Sequence, residues 1–128
     1  MKTLSQVVGK SSVEVCAENT ATAVHSGTLP VFGTPYMIAL MEQATCNAIA
    51  PFLEENETTV GTKINVAHVK ATGIGRRVEA EATLKNADGR CLLFDVIARE
   101  EGGQIIGQGS IERFVVNIDR FMQKVQQK

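Results

Sequence analysis

One carboxylate, one imidazole and one hydroxyl are the residues of this chain best suited to chemistry. Glu42 is the single acid in TPYMIALMEQATCNAIAPF, residues Thr34–Phe52, a stretch with no basic residue. A lone carboxylate on so apolar a segment is costly unless it is paired, hydrogen-bonded or protonated. His68 lies in VGTKINVAHV, where Ile64, Val66 and His68 share one side of an extended chain. A carboxylate beside an imidazole can attack a carbonyl carbon as a nucleophile or take a proton from water as a base. The imidazole then orients or protonates, and a hydroxyl such as that of Thr34 positions the partner or the water. Thr34 and Glu42 stand about 12 Å apart along one helix, so they do not touch within it. A site assembled with another element, or with a second subunit, is expected.

Each residue also has an ordinary explanation. Glu42 can be a structural carboxylate satisfied by amides, His68 a satisfied core histidine, and Thr34 a helix cap. Cys46 shares the Glu42 side of the helix, which makes a Cys–His nucleophile conceivable, although buried free cysteines usually pack. His25 has no partner pattern, and with two histidines in the chain no metal site is expected. Gly73 and Gly75 in TGIGRR lack the strand–glycine–helix context of a phosphate loop.

The elements that position these residues read as follows. Thr34–Phe52 is a helix: Thr34 is placed to cap it, Pro35 suits its first turn, and Pro51 closes it. Being apolar nearly all round, it reads as buried. Glu42 falls on the side of Ile38, Cys46 and Ile49, away from the polar Gln43 and Asn47. Before it, residues 1–10 read as a mobile lead-in and Ser12–Ala17 as a strand. Glu18–Gly27 reads as either a short helix or a strand, and SGTLPVFG as a loop. After it, Val60–Val69, Val78–Leu84, Cys91–Arg99 and Gln104–Val116 read as strands. The Val78–Leu84 segment alternates one dry face with one wet face, the mark of an antiparallel sheet. NADGR and the Glu100–Gly103 segment are hairpin turns, TGIGR a further turn. Gly107 and Gly109 suggest a bulge or close packing. Ile118, Phe121, Met122 and Val125 have helical spacing. A sheet with one apolar face must cover it, and the buried helix is what can do so. The expected class is α+β, a curved antiparallel β-sheet wrapped around a long central helix, in one domain over residues 1–128. Its edge strands would pair across a dimer.

The totals exclude several classes. The chain has 128 residues, a net charge of −1, 44 % hydrophobic and 21 % charged residues. That balance argues against an electrostatic nucleic-acid or membrane binder. Three cysteines without metal-type spacing fit free thiols in a reducing compartment. MKTLSQVVGKSS lacks the apolar core of a secretion peptide, and no run approaches a membrane span. A cytoplasmic protein is expected.

TPYMIALME and VGTKINVAHVKAT resemble the two signature stretches of the fluoroacetyl-CoA thioesterase-like branch of the hotdog-fold thioesterases. The resemblance runs from about Ser12 to Val116. It implies the hotdog fold, a homodimer, and hydrolysis of a small or short-chain acyl-CoA with no cofactor beyond the coenzyme A of the substrate. It implies a catalytic set of Thr34, Glu42 and His68. It also implies an amide of Gly61 near the thioester oxygen and an active-site arginine at Arg113. The fluoroacetyl-specific member carries a phenylalanine-bearing lid before the helix. Here the preceding loop is HSGTLPVFG, with Phe32 as its one phenylalanine and candidate substrate contact. The resemblance therefore implies thioester hydrolysis rather than fluoroacetyl specificity. Arg76, Arg77, Lys63 and Lys70 are candidates to meet coenzyme A phosphates, or else form a solvated rim. A hotdog hydratase or dehydratase acting on enoyl thioesters and a non-catalytic acyl-CoA-binding module are the competing readings.

Overall fold

The computed structural model describes residues 1–127. Five antiparallel strands form one sheet in the order β1-β3-β4-β5-β2: β1 is Val8–Glu14, β2 Glu57–His68, β3 Arg77–Asp88, β4 Cys91–Glu100 and β5 Ile105–Asn117. The helices are α1, Ala21–Val24; α2, Thr34–Ile49; and α3, Ile118–Gln126. The sheet curls around α2, as the α+β reading expects. Register shifts at Gly61/Lys63, Leu84/Asn86 and Ala98/Arg99 supply part of that curl, because a bulge sharpens local twist.

Alternation decides which face is dry. Val78, Ala80 and Ala82 of β3 lie beside Leu92, Phe94, Val96 and Ala98 of β4, all buried and on one side. Met37, Leu40, Met41, Ala44 and Ala48 of α2 are buried with them in one core. The helix lies against β1 and β3 far more than against β2 and β5. Small residues allow that approach. A methyl group at Gly9 would stand 2.7 Å from the Ala48 Cα, inside van der Waals contact. Ser11 Oγ donates to the Leu40 carbonyl at 2.6 Å, and Asn47 Nδ2 donates to the Lys10 carbonyl at 2.8 Å. Gly9→Ala is expected to cost about 3 kcal/mol through overpacking against backbone that cannot yield. A thermal melt checks it, with a drop of roughly 10 °C expected; an unchanged midpoint would mean that strand and helix can separate freely.

The N-terminal reading needs correction. Residues 1–10 are anchored: the Met1 ammonium pairs with Glu57 at 3.1 Å, the Lys2 amide donates to the Phe52 carbonyl at 2.7 Å, and Val7 is buried. The strand begins at Val8 and ends at Glu14, earlier than Ser12–Ala17. Its helix-facing positions are Gly9, Ser11 and Val13, small where the helix needs room, so they give no hydrophobic alternation to read. Glu18–Gly27 contains a 3-10 turn at Ala17–Asn19 and the short α1. The central helix ends at Ile49, followed by a 3-10 turn, Ala50–Phe52, that carries Pro51. Gly33, not Thr34, occupies its cap position and offers no side chain there. The remaining strands run up to four residues beyond their expected ends.

Candidate active site

Two groups of side chains lie along the inner face of β2, one at each end. At one end the Thr34 hydroxyl stands 2.7 Å from His68 Nδ1. Thr34 opens α2, so its hydroxyl serves this contact instead of capping. The helix start is fixed by the chain around it: Gly33 donates to the Asn19 carbonyl at 2.9 Å and Phe32 to the Thr72 carbonyl at 2.8 Å. His68 closes β2 opposite Gly107 of β5. Burial pushes the His68 pKa below its ordinary 6.5, with the Lys70 backbone opposing. The ring is therefore neutral at pH 7, and Nδ1 can take the Thr34 hydroxyl proton. Its Nε2 is buried and has no hydrogen-bond partner among the described residues.

At the other end Arg113 organises the group. It sits between Ile111 and Val115 on the inner face of β5 and is 7 % exposed. Its Nε donates to Thr59 Oγ1 at 2.8 Å and its Nη2 to the Thr59 carbonyl at 3.1 Å. That leaves Nη1 to reach Glu42 Oε2 at 3.4 Å. Gly61 pairs with Arg113 across the ladder. A methyl group there would come within 2.8 Å of Glu42 Oε2, so a side chain at this position would shift the carboxylate. The bulge between Gly61 and Lys63 leaves Thr62 out of the ladder beside it. Thr59 is a site residue that the sequence reading missed; its signal is its place two residues before Gly61 on the same face of β2.

Three expectations change here. Glu42 is not enclosed: its side chain is 37 % exposed. Pro35, Tyr36, Ala39, Gln43 and Asn47 form the open side of α2, while Ile38, Glu42 and Cys46 are half-buried. The physical reason is the seating of α2 over β1 and β3, which leaves the β2–β5 flank uncovered and Ile64 39 % exposed. Glu42 and His68, expected as neighbours, form no hydrogen bond or ion pair within the chain among the described residues. Phe32, expected at the substrate, is 1 % exposed in the core. It borders a small cavity with Tyr36, Leu40 and Gln43, on the helix side away from Glu42.

Of the four cations read as candidates for coenzyme A phosphates, three have partners among the described residues. Lys70 and Arg76 both bind Glu100, and Arg77 Nη2 donates to Ser12 Oγ at 3.1 Å. Cys46 is a free, half-buried thiol. His25 ends α1 in a left-handed conformation. Among the described residues no three His, Cys, Asp or Glu side chains are grouped to hold a metal, and no helix is long and apolar enough to cross a membrane.

A curled antiparallel sheet around one long helix is the hotdog arrangement, and its relatives make this chain a thioester hydrolase. Residues 15–119 match the model of the fluoroacetyl-CoA-specific thioesterase family, and the chain belongs to that family. A fluoroacetyl-CoA thioesterase from Streptantibioticus cattleyicolor is 43 % identical over 98 residues, spanning 77 % of this chain and 70 % of that one. A solved fluoroacetyl-CoA thioesterase superposes with a TM-score of 0.90 at 33 % identity, covering 100 % of this chain and 98 % of the other. A Thermus thermophilus protein of the thioesterase superfamily superposes with a TM-score of 0.91 at 26 % identity, covering 98 % and 93 %.

Proposed function

We propose that this chain hydrolyses a small or short-chain acyl-CoA thioester to the free acid and coenzyme A, as a homodimer whose two sites each draw on both copies. One observation carries this: Glu42 and the Thr34–His68 pair lie at opposite ends of β2, an edge strand with an uncovered inner face. Gly61 and His68 are seven residues apart, about 23 Å along a strand. A two-fold axis through the middle of β2, near Ile64, would lay one copy's Gly61 end beside the other's His68 end. It would cover Ile64 and the Ile38–Cys46 stripe, and give the open edge a partner.

In such a site Glu42 attacks the thioester carbonyl or takes a proton from the attacking water; both routes start at the same carboxylate oxygen, which Arg113 aims. The carbonyl oxygen takes on charge, and a backbone amide at Gly61 would stabilise it. In the base route the C–S bond breaks and the proton that Glu42 took from water reaches the thiolate by way of Thr34 and His68. In the nucleophilic route C–S cleavage leaves a mixed anhydride on Glu42, which water then hydrolyses to the free acid, its proton going to the thiolate. No cofactor is needed beyond the coenzyme A that the substrate brings. Phe32, packed away in the core, gives no lid over the acyl group, so fluoroacetyl specificity is not part of the proposal. A cytoplasmic location, where acyl-CoA is made and the three cysteines stay reduced, completes the proposal.

The test is thiol release from acetyl-, propionyl-, fluoroacetyl- and crotonyl-CoA. Turnover of at least one is expected, with an acid limb in kcat/KM below pH 6.5. The sign follows from His68: burial lowers its pKa, so the active neutral ring is lost only on acidification past its ordinary value. Hydration of crotonyl-CoA without thiol release would instead indicate a hydratase. Binding of every thioester without turnover would indicate a binding module.

A further inference from the structure

On β4 the inner-face series Leu92, Phe94, Val96 and Ala98 continues into Glu100, an acid on the dry side of the sheet and 4 % exposed. Its two oxygens are both taken: Lys70 Nζ binds Oε1, and Arg76 Nε binds Oε2 at 2.6 Å. The hydrogen bond from Lys70, above all, holds its carboxyl below the usual range, so it stays charged at neutral pH. Lys70 and Arg76 bracket the connection between β2 and β3, whose first residues, Val69 and Lys70, both donate to the Ile106 carbonyl. His68 immediately precedes this connection. Thr72, within it, accepts from Phe32, and Gly73 bridges to Val31, two contacts that fix the segment leading into Thr34.

We propose that Glu100 is a positioning residue: by clamping Lys70 and Arg76 it fixes the one connection that sets both His68 and the start of α2, and so keeps the Thr34 hydroxyl on His68 Nδ1. Glu100 touches neither residue; it acts through the loop. An acid here is worth its desolvation only because two cations meet it from both ends of that loop. The inference rests on the catalytic reading of His68 and is testable apart from it.

The experiment compares Glu100→Gln, Lys70→Met and Lys70→Arg with acetyl-CoA, or with whichever tested thioester the wild-type protein turns over best. Glu100→Gln and Lys70→Met are expected to lower kcat about 10- to 100-fold, the scale of a small misplacement of catalytic groups. KM should stay within about twofold, because substrate contacts are untouched. Lys70→Arg, which keeps the charge, should recover most of kcat. The imidazole nitrogen resonances of His68 should move from those of a ring bonded to Thr34 in the first two variants and not in the third. Lys70 is 39 % exposed, so Lys70→Met keeps the test alive if Glu100→Gln does not fold. Wild-type kcat with unmoved His68 resonances would overturn the proposal, as would a loss that Lys70→Arg fails to repair. The resonances need no turnover, so a wild-type protein that releases no thiol would sink the thioesterase reading and leave this one to be decided by them.

Discussion

Glu42→Gln is expected to lower kcat for acyl-CoA hydrolysis about 10³-fold, the range for losing a positioned base or nucleophile. At 1.36 kcal/mol per decade that is about 4 kcal/mol of transition-state stabilisation. Stability should barely change. The Glu42 carboxylate is partly open to solvent, and such pairs are worth about 0–1 kcal/mol. Arg113 loses its one ion-pair partner among the described residues, but it keeps both bonds to Thr59, and the amide oxygen that replaces the carboxylate can still accept from Nη1. Steady-state kinetics beside a thermal melt checks both halves. Wild-type turnover in Glu42→Gln would remove Glu42 from the mechanism; a collapsed melt would make it structural.

Two inactive variants should make an active enzyme when their subunits are exchanged. Glu42→Gln supplies an intact Thr34–His68 pair, and His68→Ala supplies an intact Glu42. If each site takes Glu42 from one copy and His68 from the other, a mixed dimer has one complete site and one with both defects. Random exchange makes about half of the dimers mixed, so the mixture should reach about a quarter of wild-type activity. Refolding the two variants together and measuring thiol release decides it. Activity no higher than the sum of the separate variants would mean that each chain completes its own site.

Much of this arrangement could be read from residue order, for local reasons. NADGR turns on its aspartate and glycine, and the Glu100–Gly103 segment on its two glycines, which take up positive φ. Val78, Ala80 and Ala82 alternate because one side of β3 faces α2. The first strand starts earlier than its alternation suggests because Gly9 and Ser11 face the helix: close packing asks for small residues, and these carry no hydrophobic signal. Glu42 was expected to be enclosed because an apolar helix shows how much surface wants covering, not which element covers it. The chain's own sheet leaves the stripe of Ile38, Glu42 and Cys46 half-buried. The Thr34–His68 contact spans 34 residues and has no local signature. Arg113 was identified by family resemblance, although its place between Ile111 and Val115 marks a charge on a dry face by period alone. Glu100, following Ala98 on β4, carries the same mark and was passed over.

If the proposed two-fold pairing along β2 completes each site from two copies, turnover becomes second order in the protein at high dilution. A solitary copy would then behave as a zymogen whose activator is its twin. Specific activity would track expression level, and scarcity alone would silence the enzyme without any inhibitor.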